Sequence, residues 1–165
     1  MTRKLFTLVV AAIAATATAV AVGQPAGLTV AQARAAIAPF YDALNAAPGK
    51  DIAALVLAAT TADFVSCGEN DACLPRDQVA ARIAGIGKAI PDLKWEIREV
   101  LVSGDRVTVR GEATGTPAGA FLGVPHGGRS FRTMSIDVHT IRDGKIARAY
   151  HVEDWMSAAR QLAAK

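Results

Sequence analysis

The chain is short of cysteine, histidine and aromatic side chains, and each shortage narrows what it can be. Only two cysteines, Cys67 and Cys73, occur in 165 residues. Their spacing matches no common zinc pair and no histidine lies nearby in sequence, which argues against a metal centre there. The three histidines, His126, His139 and His151, form no compact ligand motif, so neither a metal nor a cofactor is expected. Aromatics are only 5% and the lysines and arginines are scattered singly, leaving no clustered basic stripe for nucleic acid. Gly115-Thr116-Pro117-Ala118-Gly119 lacks the lysine of a phosphate loop. Ser66 and Ser135 lack the flanking signature and base of a hydrolytic nucleophile. There is no internal repeat, and beyond the first 23 residues no apolar run long enough to span a membrane.

What is present begins with a leader. Arg3 and Lys4 precede an apolar run from Leu5 to Val22, small residues follow at Ala21-Val22-Gly23, and no acidic residue appears before Asp42. This is the layout of a secretory signal peptide over residues 1–23, with a single mature domain over 24–165. An uncleaved anchor is the alternative, disfavoured by the alanines and threonines that make the run only weakly apolar. Without Arg3 and Lys4 the 18 basic residues become 16 against 15 acidic ones, a net charge of +1. The expected mature chain is soluble, periplasmic or extracellular, and free of the membrane. In such a compartment Cys67 and Cys73 are expected to form a disulfide across a small polar loop.

From Leu28 the pattern is helical. Thr29 and Gln32 make a capping box, and Val30, Ala33, Ile37, Tyr41 and Leu44 recur at helical spacing. Pro48-Gly49 ends that helix, Asp51 can cap a short second one over 52–59, and a brief strand follows over 62–66. Asp77 is expected to start a third helix carrying Val79, Ile83, Ile86 and Ile90. Strands follow over 94–102 and 106–114, then a Gly/Pro-rich crossing over 115–128, a hairpin, and a helix over about 155–164. Helices first and long strands afterwards argue for an α+β fold, with a strongly bent sheet wrapped over the helices.

The hairpin carries the chemistry. Its arms, Met134 to Ile141 and Lys145 to Val152, are rich in β-branched and aromatic residues and flank Asp143-Gly144. A two-residue loop pairs Arg142 with Lys145 and, without a compensating bulge, puts Asp137 and His151 on opposite faces. A three-residue loop with Gly144 at positive φ pairs Ile141 with Lys145 and puts Asp137, His139, Ala149 and His151 on one face. Only the second closure, taken alone, gives an active-site pair, with Asp137 and His151 as diagonal neighbours about 7 Å apart at Cβ. The expectation is therefore an Ile141–Lys145 pair.

The order ID…RDGKI…D…QL, preceded by FLGVP at Phe121 to Pro125 and IPDLKW at Ile90 to Trp95, resembles the SnoaL-like polyketide cyclase or ester cyclase group of the nuclear-transport-factor-2-like superfamily. The resemblance runs from about Leu28 onward. It implies a cone-shaped, strongly curved antiparallel sheet around helices, with a small apolar ligand on the concave side. That superfamily hosts cyclases, isomerases, dehydratases and non-catalytic binding domains. In the cyclases an acid/base aspartate falls where this chain has His151, and a pocket histidine falls at Asp137, so the residue types are exchanged.

A neutral imidazole beside a carboxylate can accept a proton and be stabilised once charged, as proton abstraction next to a carbonyl or a dehydration requires. His151 and Asp137 are thus the catalytic candidates, with His151 as base. Tyr41, Trp95, Phe121, Leu122 and His139 are the candidate ligand contacts, and the apolar Phe121 to Pro125 loop would sit beside the cone mouth as a lid. The implied function is cofactor-independent cyclase, isomerase or dehydratase-like chemistry on a small apolar carbonyl compound. The rival is a ligand-binding or interaction protein on the same fold, and homodimerisation is left open. Processing is directly testable: N-terminal sequencing of the exported protein should find a start within a few residues of Gln24, and a start near Met1 would rule the leader out.

Overall fold

Residues 27–45, 49–125 and 127–164 are described by a computed structural model. The leader expected over 1–23, Pro48 and His126 lie outside them. Helix α1 (Val30–Leu44) starts at a complete capping box: Gln32 N donates to Thr29 Oγ1 and Thr29 N donates to Gln32 Oε1. Such a cap stabilises a helix by about 1 kcal/mol. Ala33, Ile37, Phe40 and Tyr41 form its buried face. Ala54 N donates to the Asp51 side chain, which caps α2 (Ile52–Ala59). The chain continues through β1 (Thr60–Cys67), β2 (Cys73–Pro75) and α3 (Arg76–Ala89). Helix α3 begins before Asp77, with Pro75 as its cap residue, and Asp77 lies in the first turn, where a carboxylate complements the helix dipole. Strands β3 (Lys94–Ser103), β4 (Arg106–Gly115), β5 (Phe131–Arg142) and β6 (Lys145–Glu153) follow, and α4 (Trp155–Ala163) ends the chain.

The six strands form one curved sheet in the order β2-β1-β6-β5-β4-β3. This is the expected α+β architecture. Neighbours are antiparallel except β1 and β6, which run parallel. That parallel ladder was not expected, because nothing local in β1 specifies which strand it joins. Along β5 the inward side chains are Phe131, Thr133, Ser135, Asp137, His139 and Ile141, all buried at a period of two. Four of these six are polar or charged. A strand that sends polar groups into the interior must supply them with hydrogen-bond partners there, as Thr133 Oγ1 finds in Asp154 O.

The hairpin register differs from the expectation. Arg142, not Ile141, pairs with Lys145, and Asp143 and Gly144 form a two-residue turn with φ of 52° and 72°. Both positive angles suit an Asp-Gly turn whose twist matches the flanking strands. Ile141 pairs with Ile146, and the register then shifts by one so that Thr140 pairs with Arg148 and Asp137 with His151. Ala147 is the extra residue of a β-bulge. The inward side chains of β6 accordingly change from even numbering at Ile146 to odd numbering at Ala149. Asp137 and His151 share the inner face as expected, but as directly opposed residues rather than diagonal ones.

Close packing beneath the sheet depends on Gly111 of β4. A Cβ there would lie 2.5 Å from Ser135 Oγ and 2.8 Å from Trp95 Nε1, below any ordinary contact. Gly111→Ala should therefore destabilise the protein by about 1–3 kcal/mol in denaturant unfolding. Gly119→Ala, where nothing lies within 4 Å of the new methyl, serves as the control and should leave stability unchanged.

Candidate active site

The concave side of the sheet encloses a cavity of about 370 Å³, enough for a small molecule. Val79, Ile83 and Ile86 of α3 give it one apolar wall, and Phe40 and Trp95 contribute aromatic surface. Its polar groups are Asp137, His151 and Glu153 from the hairpin, with Ser66, Glu69 and Arg82 from β1, the loop after it and α3. The loop from Gly68 to Ala72 closes another side, where β1 runs beside β6. Cys67 and Cys73, paired across β1 and β2, are joined by the expected disulfide with their Cα atoms 4.1 Å apart. Gly68 meets the catalytic candidate closely, since a Cβ on it would lie 3.2 Å from His151 Nε2.

Asp137 is 4% exposed. The Tyr41 hydroxyl donates to its Oδ2 at 2.9 Å and Ser135 Oγ donates to the same oxygen at 3.4 Å. Burial pushes its carboxyl up to about 6, opposed by the Tyr41 bond and by His151, and reinforced by the negative charge of Glu153. His151 sits opposite with a carboxylate of its own: Nδ1 lies 2.8 Å from Glu153 Oε1. That bond holds the imidazole pKa above its ordinary value against the effect of burial, with the charges of Glu153 and Asp137 adding to it. Trp155 Nε1 donates to the other Glu153 oxygen at 3.1 Å, fixing the carboxylate from α4. His139 is fully buried, and desolvation with the charge of His151 lowers its pKa to about 4, so it is neutral near pH 7. Tyr41, buried and facing Asp137, has its phenol pushed well above the usual range and keeps its proton.

The structure brings Asp137 and His151 together on the cavity wall and puts Trp95 there too. Tyr41 and His139 stand behind Asp137, outside that wall. Phe121 stacks on Phe131 with ring centroids 6.2 Å apart and meets Trp155 edge-on at 5.9 Å, so it touches the site only through Trp155. Leu122 is exposed at a φ of 52° in the turn between Phe121 and Val124 and does not line the cavity. Glu153 is the residue that sequence reasoning missed. Its signal was the His151-Val152-Glu153 spacing, because residues two apart in a strand share a face. Gly68 and Arg82 reach the cavity through the long-range docking of β1 and α3, and no local pattern announces that. Among the described residues no cluster of His, Cys, Asp or Glu side chains is arranged to hold a metal ion.

The model of the SnoaL-like polyketide cyclases matches residues 36–162. Among solved structures, a proposed SnoaL-like polyketide cyclase from Jannaschia sp. CCS1 superposes with a TM-score of 0.71 at 23% identity, covering 87% of this chain and 99% of that one. TsrD from Streptomyces laurentii gives 0.70 at 25% identity, over 84% and 99% of the two chains. A proposed polyketide cyclase from Bacillus cereus gives 0.62 at 26% identity, over 77% of each. Comparison with curated protein sequences gives no match.

The environment of Asp137 has a measurable consequence for stability. A carboxyl whose folded pKa is raised from 3.8 to about 6 supports the folded state fully below the unfolded value and loses that contribution as pH rises through 6. At about 1.4 kcal/mol per pH unit, wild type should lose about 3 kcal/mol relative to Asp137→Asn between roughly pH 3.5 and pH 7. Parallel denaturant titrations of the two proteins check this, and a pH-independent difference would contradict the burial account.

Proposed function

The chain belongs to the SnoaL-like polyketide cyclase family, and from that premise we propose that it is an exported, cofactor-independent acid/base enzyme acting on a small, apolar, carbonyl-containing molecule. The observation that carries this reading is the opposition, across one ladder position in an apolar cavity, of a desolvated carboxylate and an imidazole held by its own carboxylate. Groups whose environments differ in this way divide acid and base work between them. Glu153 favours the imidazolium form of His151, so the base is Asp137 and His151 is the acid. This reverses the assignment made from sequence. Asp137 Oδ1 takes a proton from the carbon beside the carbonyl. His151 Nε2–H donates to the carbonyl oxygen as negative charge develops there, and the proton is returned at another position or lost with a leaving group. The apolar α3 wall lowers the polarity around both groups, strengthening both interactions.

Export is supported by the Arg3-Lys4 leader and by the Cys67–Cys73 disulfide, which suits an oxidising periplasmic or extracellular setting. No described helix is long and apolar enough to cross a membrane. Met134, Tyr150 and Val152 are exposed on the outer face of β5 and β6, an apolar stripe that would suit a homodimer contact. The binding-protein reading draws on the internal pairing of both groups, Asp137 with Tyr41 and His151 with Glu153.

The two readings separate in deuterium exchange. In D2O, a panel of small apolar ketones and esters should include compounds whose α-carbon exchange the protein accelerates. Asp137→Asn and His151→Ala should each slow that exchange by about 10²–10⁴ while leaving the fold intact. The rate should rise through about pH 6 as Asp137 ionises and fall at higher pH as His151 loses its proton. Unchanged exchange in both folded variants would leave only the binding role.

A further inference from the structure

Tyr41 and His139, read from sequence as ligand contacts, are buried outside the cavity wall and linked in a row behind Asp137. Tyr41 Oη lies 2.9 Å from Asp137 Oδ2 and 3.1 Å from His139 Nε2. A phenol has one proton to give. Against an ionised carboxylate the charge-assisted bond is the stronger one, so the proton goes to Asp137, and His139 must be the Nε2–H tautomer donating to Tyr41 Oη. The unpartnered atom this leaves is His139 Nδ1, buried without a hydrogen bond. As an acceptor lone pair it is less costly to bury than an orphaned N–H. Ser135 adds its weaker bond to the same Oδ2. Oδ1 receives no hydrogen bond among the described residues, yet it is not a fully buried atom, and Asp137 forms part of the cavity wall.

We propose that Tyr41 and His139 are positioning residues that together fix the Tyr41 hydroxyl proton on Asp137 Oδ2, favour the ionised carboxylate in its buried position and leave Oδ1 as its one reactive oxygen. The role of Asp137 as base rests on the function proposed above; the row itself does not, because its state can be read without a substrate. Cooperativity runs in one direction: the His139 N–H polarises the phenol, and the polarised phenol is the better donor.

The other charged or titratable groups facing Asp137 are His151 and Glu153 from β6, with Arg82 of α3 and Glu69 of the disulfide loop on the same cavity. From β4 the paired neighbour is Val109, which is apolar. Tyr41 is held in turn by the end of α1, where Asn45 Nδ2 donates to Tyr41 O at 2.9 Å and Asn45 Oδ1 accepts from Trp95 N at 2.7 Å. The backbone that carries the phenol is thus tied to β3 through Asn45 as well as to its own helix.

Carbon-13 NMR titration of the Asp137 carboxyl in the full mature protein tests the proposal. Tyr41→Phe removes a hydrogen bond to the charged form and should raise the Asp137 midpoint by about one to two pH units. His139→Leu should raise it by less, and His139→Gln, which keeps an N–H donor, should return it toward wild type. A merely structural role for His139 predicts no such rescue. Nitrogen-15 shifts of wild-type His139 should show protonated Nε2 and bare Nδ1, a reading that needs no variant to fold. An unmoved midpoint in folded Tyr41→Phe, or the Nδ1–H tautomer in wild type, would overturn it. Absence of α-carbon exchange activity in the wild type, with these midpoints as expected, would instead count against the enzyme reading alone.

Discussion

Two packing demands on the C-terminal hairpin cannot both be met by a regular ladder. Near the turn, Ile141 and Ile146 face each other in the interior; farther along, Ala149 and His151 must face inward as well. A strand with strict alternation reaches only one parity, and the bulge at Ala147 switches it. The two-residue Asp143-Gly144 turn keeps its preferred twist, the isoleucines keep their burial, and the upper hairpin acquires the phase that opposes His151 to Asp137. The polar interior of β5 would otherwise face the outward side chains of β6. The geometry of the candidate site is in this sense a by-product of reconciling turn chemistry with core packing.

Given that phase, the site sorts its charges by what each carboxylate is offered. Glu153 is hydrogen-bonded to His151 and Trp155, and its carboxylate raises the pKa of the imidazole. Asp137 receives a phenol and a distant hydroxyl and is buried more deeply, so its proton is released at about pH 6. Two groups of the same chemical type, on adjacent strands facing one cavity, thereby meet different environments. Neither needs an unusual backbone conformation. The positive φ values of the hairpin are confined to its turn, away from the reacting groups.

Much of this was legible in residues taken singly or in short patterns. Thr29 with Gln32 and Asp51 with Ala54 N are local devices, and their caps occur where the sequence puts them. Asp143-Gly144 announces a hairpin, and period-two alternation fixes which residues of β5 point inward. The register did not follow from the turn, because it depends on burial at Ile146 and Ala149, which only the assembled sheet defines. The three-residue β2 is too short to alternate, and its partner is chosen by the edge of β1. The lid expected of Phe121 and Leu122 fails for a related reason. Apolar loop residues pack against whatever aromatic surface is near, and for Phe121 that surface is Phe131 and Trp155. His151 does face Asp137 across the ladder, but its hydrogen bond goes to Glu153, two positions on in the same strand, which the cross-strand pairing alone does not reveal.

The parallel pairing of β1 with β6 sets Cys67 beside Tyr150, joining positions separated by about half of the chain. Closing a span of about eighty residues is entropically expensive and contributes little until both ends are structured. The β4–β5–β6 meander needs only neighbours in sequence and can form early. The cavity cannot, since Gly68 and the α3 wall arrive from the other half of the molecule. A partly folded chain would therefore show a formed hairpin with Asp137 and His151 already opposed but open to water. On that order the cavity would be enclosed only after the hairpin, once Gly68 and the α3 wall dock, whereas the Cys67–Cys73 loop closes over only six residues and does not depend on that docking.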